Sequence, residues 1–308
     1  MKTAPGPREA AAGRSEHSFP PFPRRAYLTM MAATFLWSSN VVAVKFAVQE
    51  LPQVTVAVLR VTLSAVTLAL LHLLCGGSLR LGKGERWSFL KFSLFGLSLS
   101  FLFFTVGVSY TSVSHTVFVA ALGPLVVLLF ARWEGQERIT PVKVAGLLLS
   151  LAGVLLLVLD KTGGSGPSWQ GDLLVMAGIC CFSFFTVRSK KFAAAYPTLQ
   201  FTTLAFLAAA VWFLPLLLWE LTRLPWSEIT WVGWSGLLYS ATFGSAGAYL
   251  TYYYSLRLIS ASRAAAFHYL QPVLGAVLGV LFFQDMLTAK FGTGAALILA
   301  GIFVARRR

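Results

Sequence analysis

Acidic residues are scarce in this 308-residue chain: Asp and Glu together number 11, against 25 Lys and Arg. Charged residues of both signs make up 12% of the sequence, about half the share of an ordinary soluble protein. The three cysteines exclude a disulfide framework; Cys180 and Cys181 are neighbours in one apolar run, Cys75 ends another, and all three read as small packing residues. Four histidines and scattered carboxylates supply no metal-ligand spacing and no Ser/His/Asp set, so no metal or other cofactor is expected and an integral-membrane enzyme is disfavoured. Rings of like charge and filter loops, which a channel would need, are also missing.

Apolar residues are what the chain has in abundance, at 57% of the sequence with a mean hydropathy of +0.73. A membrane-spanning helix takes about 20 mostly apolar residues. The runs place ten such helices at about 27–48, 54–75, 88–108, 114–133, 141–160, 172–192, 198–219, 231–257, 263–283 and 287–305, which makes the fold all-α and integral to a membrane. Residues 1–26, polar and rich in Pro and Ala without a signal-peptide core, are expected to form a disordered, uncleaved cytoplasmic tail.

The net charge of +14 would ordinarily suggest nucleic acid or anionic lipid, but its placement follows topology. With the tail in the cytoplasm, 20 of the 25 basic residues fall on that side; Lys161, Arg223 and Lys290 fall opposite, and Lys45 and Arg60 lie within spans. This asymmetry is the one expected of an even number of spans with both termini inside. Nucleic acid is therefore not an expected partner, whereas membrane lipid and a small-molecule substrate are, with the chain as monomer or homodimer.

An offset of 148 residues superimposes Ser112 on Ser260, Ser114 on Ser262, Leu122 on Leu270, Pro124 on Pro272, Glu137 on Asp285, Thr140 on Thr288, Gly146 on Gly294 and Gly153 on Gly301. Ungapped agreement of this kind marks two units, a first of helices one to five in 27–160 and a second of helices six to ten in 161–308. Since five is odd, the second unit enters the membrane from the opposite side, an architecture recurrent in secondary transporters. Gly146/Gly153 and Gly294/Gly301 read as close helix-packing sites.

The strings LWSSNVVAVKFAVQELPQVTVAVLR (Leu36 to Arg60), TSVSHTVFVAALGPLVVLLFARWEGQERIT (Thr111 to Thr140) and SASRAAAFHYLQPVLGAVLGVLFFQDMLT (Ser260 to Thr288) resemble the EamA-type branch of the drug/metabolite transporter superfamily over about residues 27–305. The resemblance implies ten helices in two inverted EamA units around a central cavity. It also implies transport of small metabolites, often the export of amino acids and related compounds. Ser38, after the first-helix tryptophan, and the polar stretch His268 to Gln271 depart from the usual pattern.

Ionisable groups within spans are functional candidates, and only Lys45 and Arg60 qualify. Trp37, Asn40 and Lys45 share one face of the first helix; Arg60, Ser64 and Thr67 share one of the second. Two cations facing one cavity would favour a carboxylate or other anionic group. The alternative is that they snorkel to headgroups or bond helix-end carbonyls. Tyr249, Tyr252, Tyr253, His268, Tyr269 and Gln271 supply aromatic rings and directional polar groups suited to a small-molecule site, or else part of an interfacial aromatic belt. Pro124 and Pro272 free the carbonyls of Ala120 and His268, as gating kinks or as static packing kinks.

No Asp or Glu is placed well inside a span, and Asp172 is read as a helix-end residue. His115 is assigned to the outer interface, which leaves His268 as the candidate for proton coupling, against exchange or facilitated diffusion. The reading is a secondary active carrier of an amino acid or related zwitterionic or anionic metabolite, exported by alternating access, in a bacterial inner membrane. A facilitative exchanger or an uptake carrier is the alternative.

Overall fold

Prolines and hydroxyl caps set where the helices begin. In the computed structural model, which describes residues 24–82, 85–135, 140–158, 168–222, 224, 227–258, 267, 270–285 and 287–306, Pro52 and Pro197 precede helices α2 (Gln53–Leu74) and α7 (Thr198–Leu221). A proline there gives up an amide that has no partner in the first turn anyway. Ser112 accepts the amide of His115 at the start of α4 (Val113–Trp133), and Thr230 accepts that of Val232 at the start of the helix that opens with Trp231–Ala241. The remaining helices are α1 (Arg24–Glu50), α3 (Glu85–Tyr110), α5 (Pro141–Val158), α6 (Trp169–Ala195), α9 (Leu270–Phe283) and α10 (Ala289–Arg306); α8 is a rod of Trp231–Ala241, Thr242–Gly247 and Ala248–Leu258.

No strand occurs among the described residues. Helices α1, α2, α3, α4, α6 and α7 hold six apolar stretches long enough to cross a membrane, and shorter apolar helices run over Pro141–Gly153, Leu270–Phe283 and Ala289–Gly301. Their outward faces carry Leu148, Leu151 and Leu155 on α5, Val211, Leu214 and Leu218 on α7, and Val273, Val277 and Leu281 on α9. Apolar rows exposed on this scale suit contact with acyl chains.

The packing repeats itself. Helix α1 lies against α8 and α9 as α6 lies against α3 and α4, while α2 pairs with α7, α4 with α9 and α5 with α10. Each pairing maps onto itself or onto another when α1–α5 are exchanged for α6–α10. Helices α5 and α10 approach backbone to backbone, where a Cβ on Gly153 would come 2.6 Å from the carbonyl of Gly294 and one on Gly301 2.5 Å from that of Gly146. Ser150 Oγ donates to the carbonyl of Ile298, 148 positions on.

Two π-helical turns occupy corresponding places. Leu94–Ser98 interrupts α3 and Thr242–Gly247 interrupts α8. In each, a serine hydroxyl bonds the carbonyl five residues back, Ser98 to Ser93 and Ser245 to Ser240. Each also carries a glycine at a close approach: a Cβ on Gly96 would fall 2.2 Å from Phe185 of α6, and one on Gly244 2.1 Å from Asn40 of α1. Widened turns of this kind turn side chains out of normal helical register and are frequent at functional sites.

Helix α4 is interrupted partway along. Its first part ends at Ala120 and its second begins at Gly123, with Pro124 in the new first turn. Pro272 is buried in the first turn of α9, whereas His268, whose carbonyl it would free, lies outside the described residues.

Candidate functional site

The second π turn and the middle of α2 meet around one cation. Arg60 is 3% exposed and donates from Nη1 to Thr105 Oγ1 of α3 at 3.0 Å and from Nη2 to Ser245 Oγ of the π turn at 3.2 Å. Its guanidinium carbon sits 4.8 Å from the centre of the Phe101 ring. Nε has no hydrogen-bond partner, and neither do the nearby buried Asn40 Oδ1 and Ser240 Oγ. Among the described residues no carboxylate lies within ion-pair distance of this guanidinium.

Local geometry explains how a helix carries this group inward. Ser64, one turn after Arg60, has its single O–H within reach of the Arg60 carbonyl at 2.6 Å and the Ala241 carbonyl at 2.8 Å, a shared contact that links α2 to α8 just before the π turn. Gly244 lets α1 approach the same turn, which brings in Asn40.

An aromatic group continues from the Phe101 ring. Tyr249 is its hub, with ring centres 5.9 Å from Phe101, 5.7 Å from Trp37, 5.5 Å from Phe182 and 5.3 Å from Phe206. Tyr252 lies 4.9 Å from Trp37, and Tyr253 lies 5.4 Å from Tyr252 and 5.1 Å from Phe201. Helices α1, α2 and α3 of the first half and α6, α7 and α8 of the second all contribute. The structure thus gathers Trp37, Asn40, Arg60, Tyr249, Tyr252 and Tyr253 into one region.

Lys45 lies elsewhere. Its ammonium donates to the carbonyls of Val108 at 2.9 Å, Ser109 at 3.3 Å and Thr111 at 2.6 Å, closing the C-terminal end of α3. A lysine has three N–H donors, and all are engaged. Gln271 is half-buried in the first turn of α9; His268 and Tyr269 lie outside the described residues.

Sequence reasoning missed several members. Thr105, Ser245, Phe101, Phe182 and Phe206 are ordinary hydroxyl and aromatic residues within apolar runs, with no spacing to distinguish them. Asp172 and His115 lie in the first turns of α6 and α4, near helix ends as the sequence has them, and are 3% and 4% exposed. They face each other, His115 Nδ1 to Asp172 Oδ2 at 3.2 Å, where the start of α4 packs against α6.

With this geometry in hand, relatives of the chain become informative. A family model described as the EamA-like transporter family matches residues 24–159 and again residues 169–307. The chain is 25% identical over 291 residues to an uncharacterized transporter of Archaeoglobus fulgidus, covering 92% of this chain and 99% of the relative. It is 26% identical over 284 residues to the uncharacterized transporter YetK of Bacillus subtilis, covering 91% and 86%. A solved crystal structure superimposes with a TM-score of 0.65 at 24% identity, over 91% of this chain and 96% of that one, which speaks to the fold alone. Two family matches that together take in nearly every residue from 24 to 307, on a bundle of apolar helices, make this chain a member of the EamA-like transporter family and an integral, multi-pass membrane transporter.

Proposed function

We propose that the protein is a secondary active carrier for an amino acid or a related zwitterionic or anionic metabolite, and that it exports this substrate by alternating access. In this reading ten helices cross a bacterial inner membrane as two inverted five-helix units, with both termini in the cytoplasm. The basic clusters on the tail's side, the repeat offset and the exchangeable packing of the two halves support it.

The observation that carries the substrate class is Arg60. An arginine keeps its charge in apolar surroundings, and a buried charge without a counter-ion is costly. Here two hydroxyls and one ring face hold it, and Nε is left over. A substrate carboxylate would supply the missing anion, accepting from Nε and a terminal nitrogen in the two-pronged geometry guanidinium favours. Trp37, Tyr249, Tyr252 and Tyr253 would enclose the rest of the molecule, and Asn40 would offer its amide to a polar group. Closure around a bound anion then removes an electrostatic cost that the empty protein bears. Pro124 and Pro272 are the positions where α4 and α9 would flex.

Thermal stabilisation of the purified protein tests this reading with a panel of amino acids, amines and nucleotide sugars. Compounds bearing a carboxylate should raise the melting temperature of the wild type and leave that of Arg60→Gln unchanged. Stabilisation by permanent cations alone would overturn the assignment.

A further inference from the structure

The end of the bundle where α1 finishes holds a second charged cluster that the substrate reading leaves unused. Asp172, in the first turn of α6, accepts from Thr111 Oγ1 at 2.6 Å and bonds His115 Nδ1 at 3.2 Å. A carboxylate only accepts, so Nδ1 carries the hydrogen and the other ring nitrogen is the one able to take up a proton. The imidazole lies 5.6 Å from the ring of Phe291 on α10. Other charged groups face the cluster from its neighbours. Lys45 of α1 holds the Thr111 carbonyl, Asp285 before α10 accepts the Ser114 amide at 2.8 Å, and Lys290 stands exposed in the first turn of α10. Asp160 lies outside the described residues. Beside the pair, Ser114 Oγ is buried without a partner.

The geometry points to a proton-binding site formed by His115 and Asp172, whose occupancy holds α4 against α6 and so closes this end of the bundle. A proton from the medium adds to the free ring nitrogen while Nδ1–H keeps its bond to Asp172, and a hydrogen bond to an anion becomes an ion pair. A movement that parts α6 from the start of α4 would break this bond. With neutral His115 it frees one carboxylate to water; with protonated His115 it also breaks an ion pair shielded from solvent. Protonation therefore favours the closed end. Histidine is the side chain suited to change charge over about pH 5 to 8. With no carboxylate beside Arg60 among the described residues, this pair would take the proton-coupling role first given to His268. The inference rests on the transport reading only in treating the two ends as gates.

Hydrogen exchange of the full chain in lipid nanodiscs, followed by mass spectrometry at pH 6 and pH 8 and corrected for the chemical exchange rate, reads this directly. Amides of residues 111–118 should be protected on the order of tenfold more strongly at pH 6 in the wild type, as expected when a hydrogen bond gains a second charge. His115→Asn, which places an amide donor where Nδ1 lies, should give equal protection at both pH values. A wild type without the difference, or a variant that keeps it, overturns the site. Should the variant not fold, exchange of the His115 ring C–H in the wild type decides: it should titrate in step with the opening of 111–118, and a ring that holds one protonation state across the range contradicts the proposal. No substrate enters the measurement, so its failure leaves the carrier reading standing.

Discussion

Lys45 and Arg60 are both cations set among apolar helices, fifteen positions apart in one sequence motif, and their surroundings differ in the respect that matters for binding. Lys45 meets three backbone carbonyls at the end of α3, one for each of its donors. Arg60 meets two hydroxyls and the face of Phe101, and one of its nitrogens is unmatched. The saturated cation bonds a helix end; the unsaturated one in the interior is the one proposed to meet a ligand. Charge within a span thus marks a candidate, and the count of its satisfied donors separates structural from functional candidates.

Substitutions can break this contrast, and the largest effect belongs to Arg60. Arg60→Gln should weaken carboxylate binding on the order of a hundredfold, the range of a lost hydrogen bond to a charged group. Its melting temperature should hold or rise, because a buried charge without a counter-ion is replaced by a neutral group. Calorimetric binding with the best ligand of the stabilisation panel checks the first part and a melting curve the second. Lys45→Met should do the reverse, lowering stability by about 1–3 kcal/mol through carbonyls left without their donor while leaving binding per folded molecule within about twofold. Denaturant titration beside the same calorimetry separates the two. The smallest effect falls on Arg188, whose partner Glu134 is a quarter exposed and whose own side chain is 40% exposed. Arg188→Gln should change stability by less than about 1 kcal/mol and binding not at all, and a larger change would show that a surface ion pair carries weight the interior was assigned.

How much of this was legible in the sequence depends on the reach of the signal. The offset of 148 joins Gly146 and Gly153 to Gly294 and Gly301, and these glycines lie at the closest approach of α5 to α10. Pro124 foretells the break in α4, because a missing amide is a local property. The grouping of Trp37, Asn40 and Arg60 follows from helical spacing once α1 and α2 are placed. The partners of Arg60 do not follow, since Thr105 and Ser245 come from other helices and resemble every other hydroxyl in an apolar run. The π turn that presents Ser245 adds a residue to a helical turn and so breaks the spacing on which such inference relies. Asp172 and His115 do stand near helix starts, but their pairing was not legible, because distance from the end of a span measures depth along one helix and not what a neighbouring helix brings against it.

The contrast between the two cations reduces to a single measurement. The affinity of the purified full chain for a carboxylate ligand from the panel should be compared between wild type, Arg60→Gln and Lys45→Met. The account expects loss of binding on the order of a hundredfold in Arg60→Gln with Lys45→Met near the wild type. Equal losses in both variants, or undiminished binding in Arg60→Gln, would contradict it.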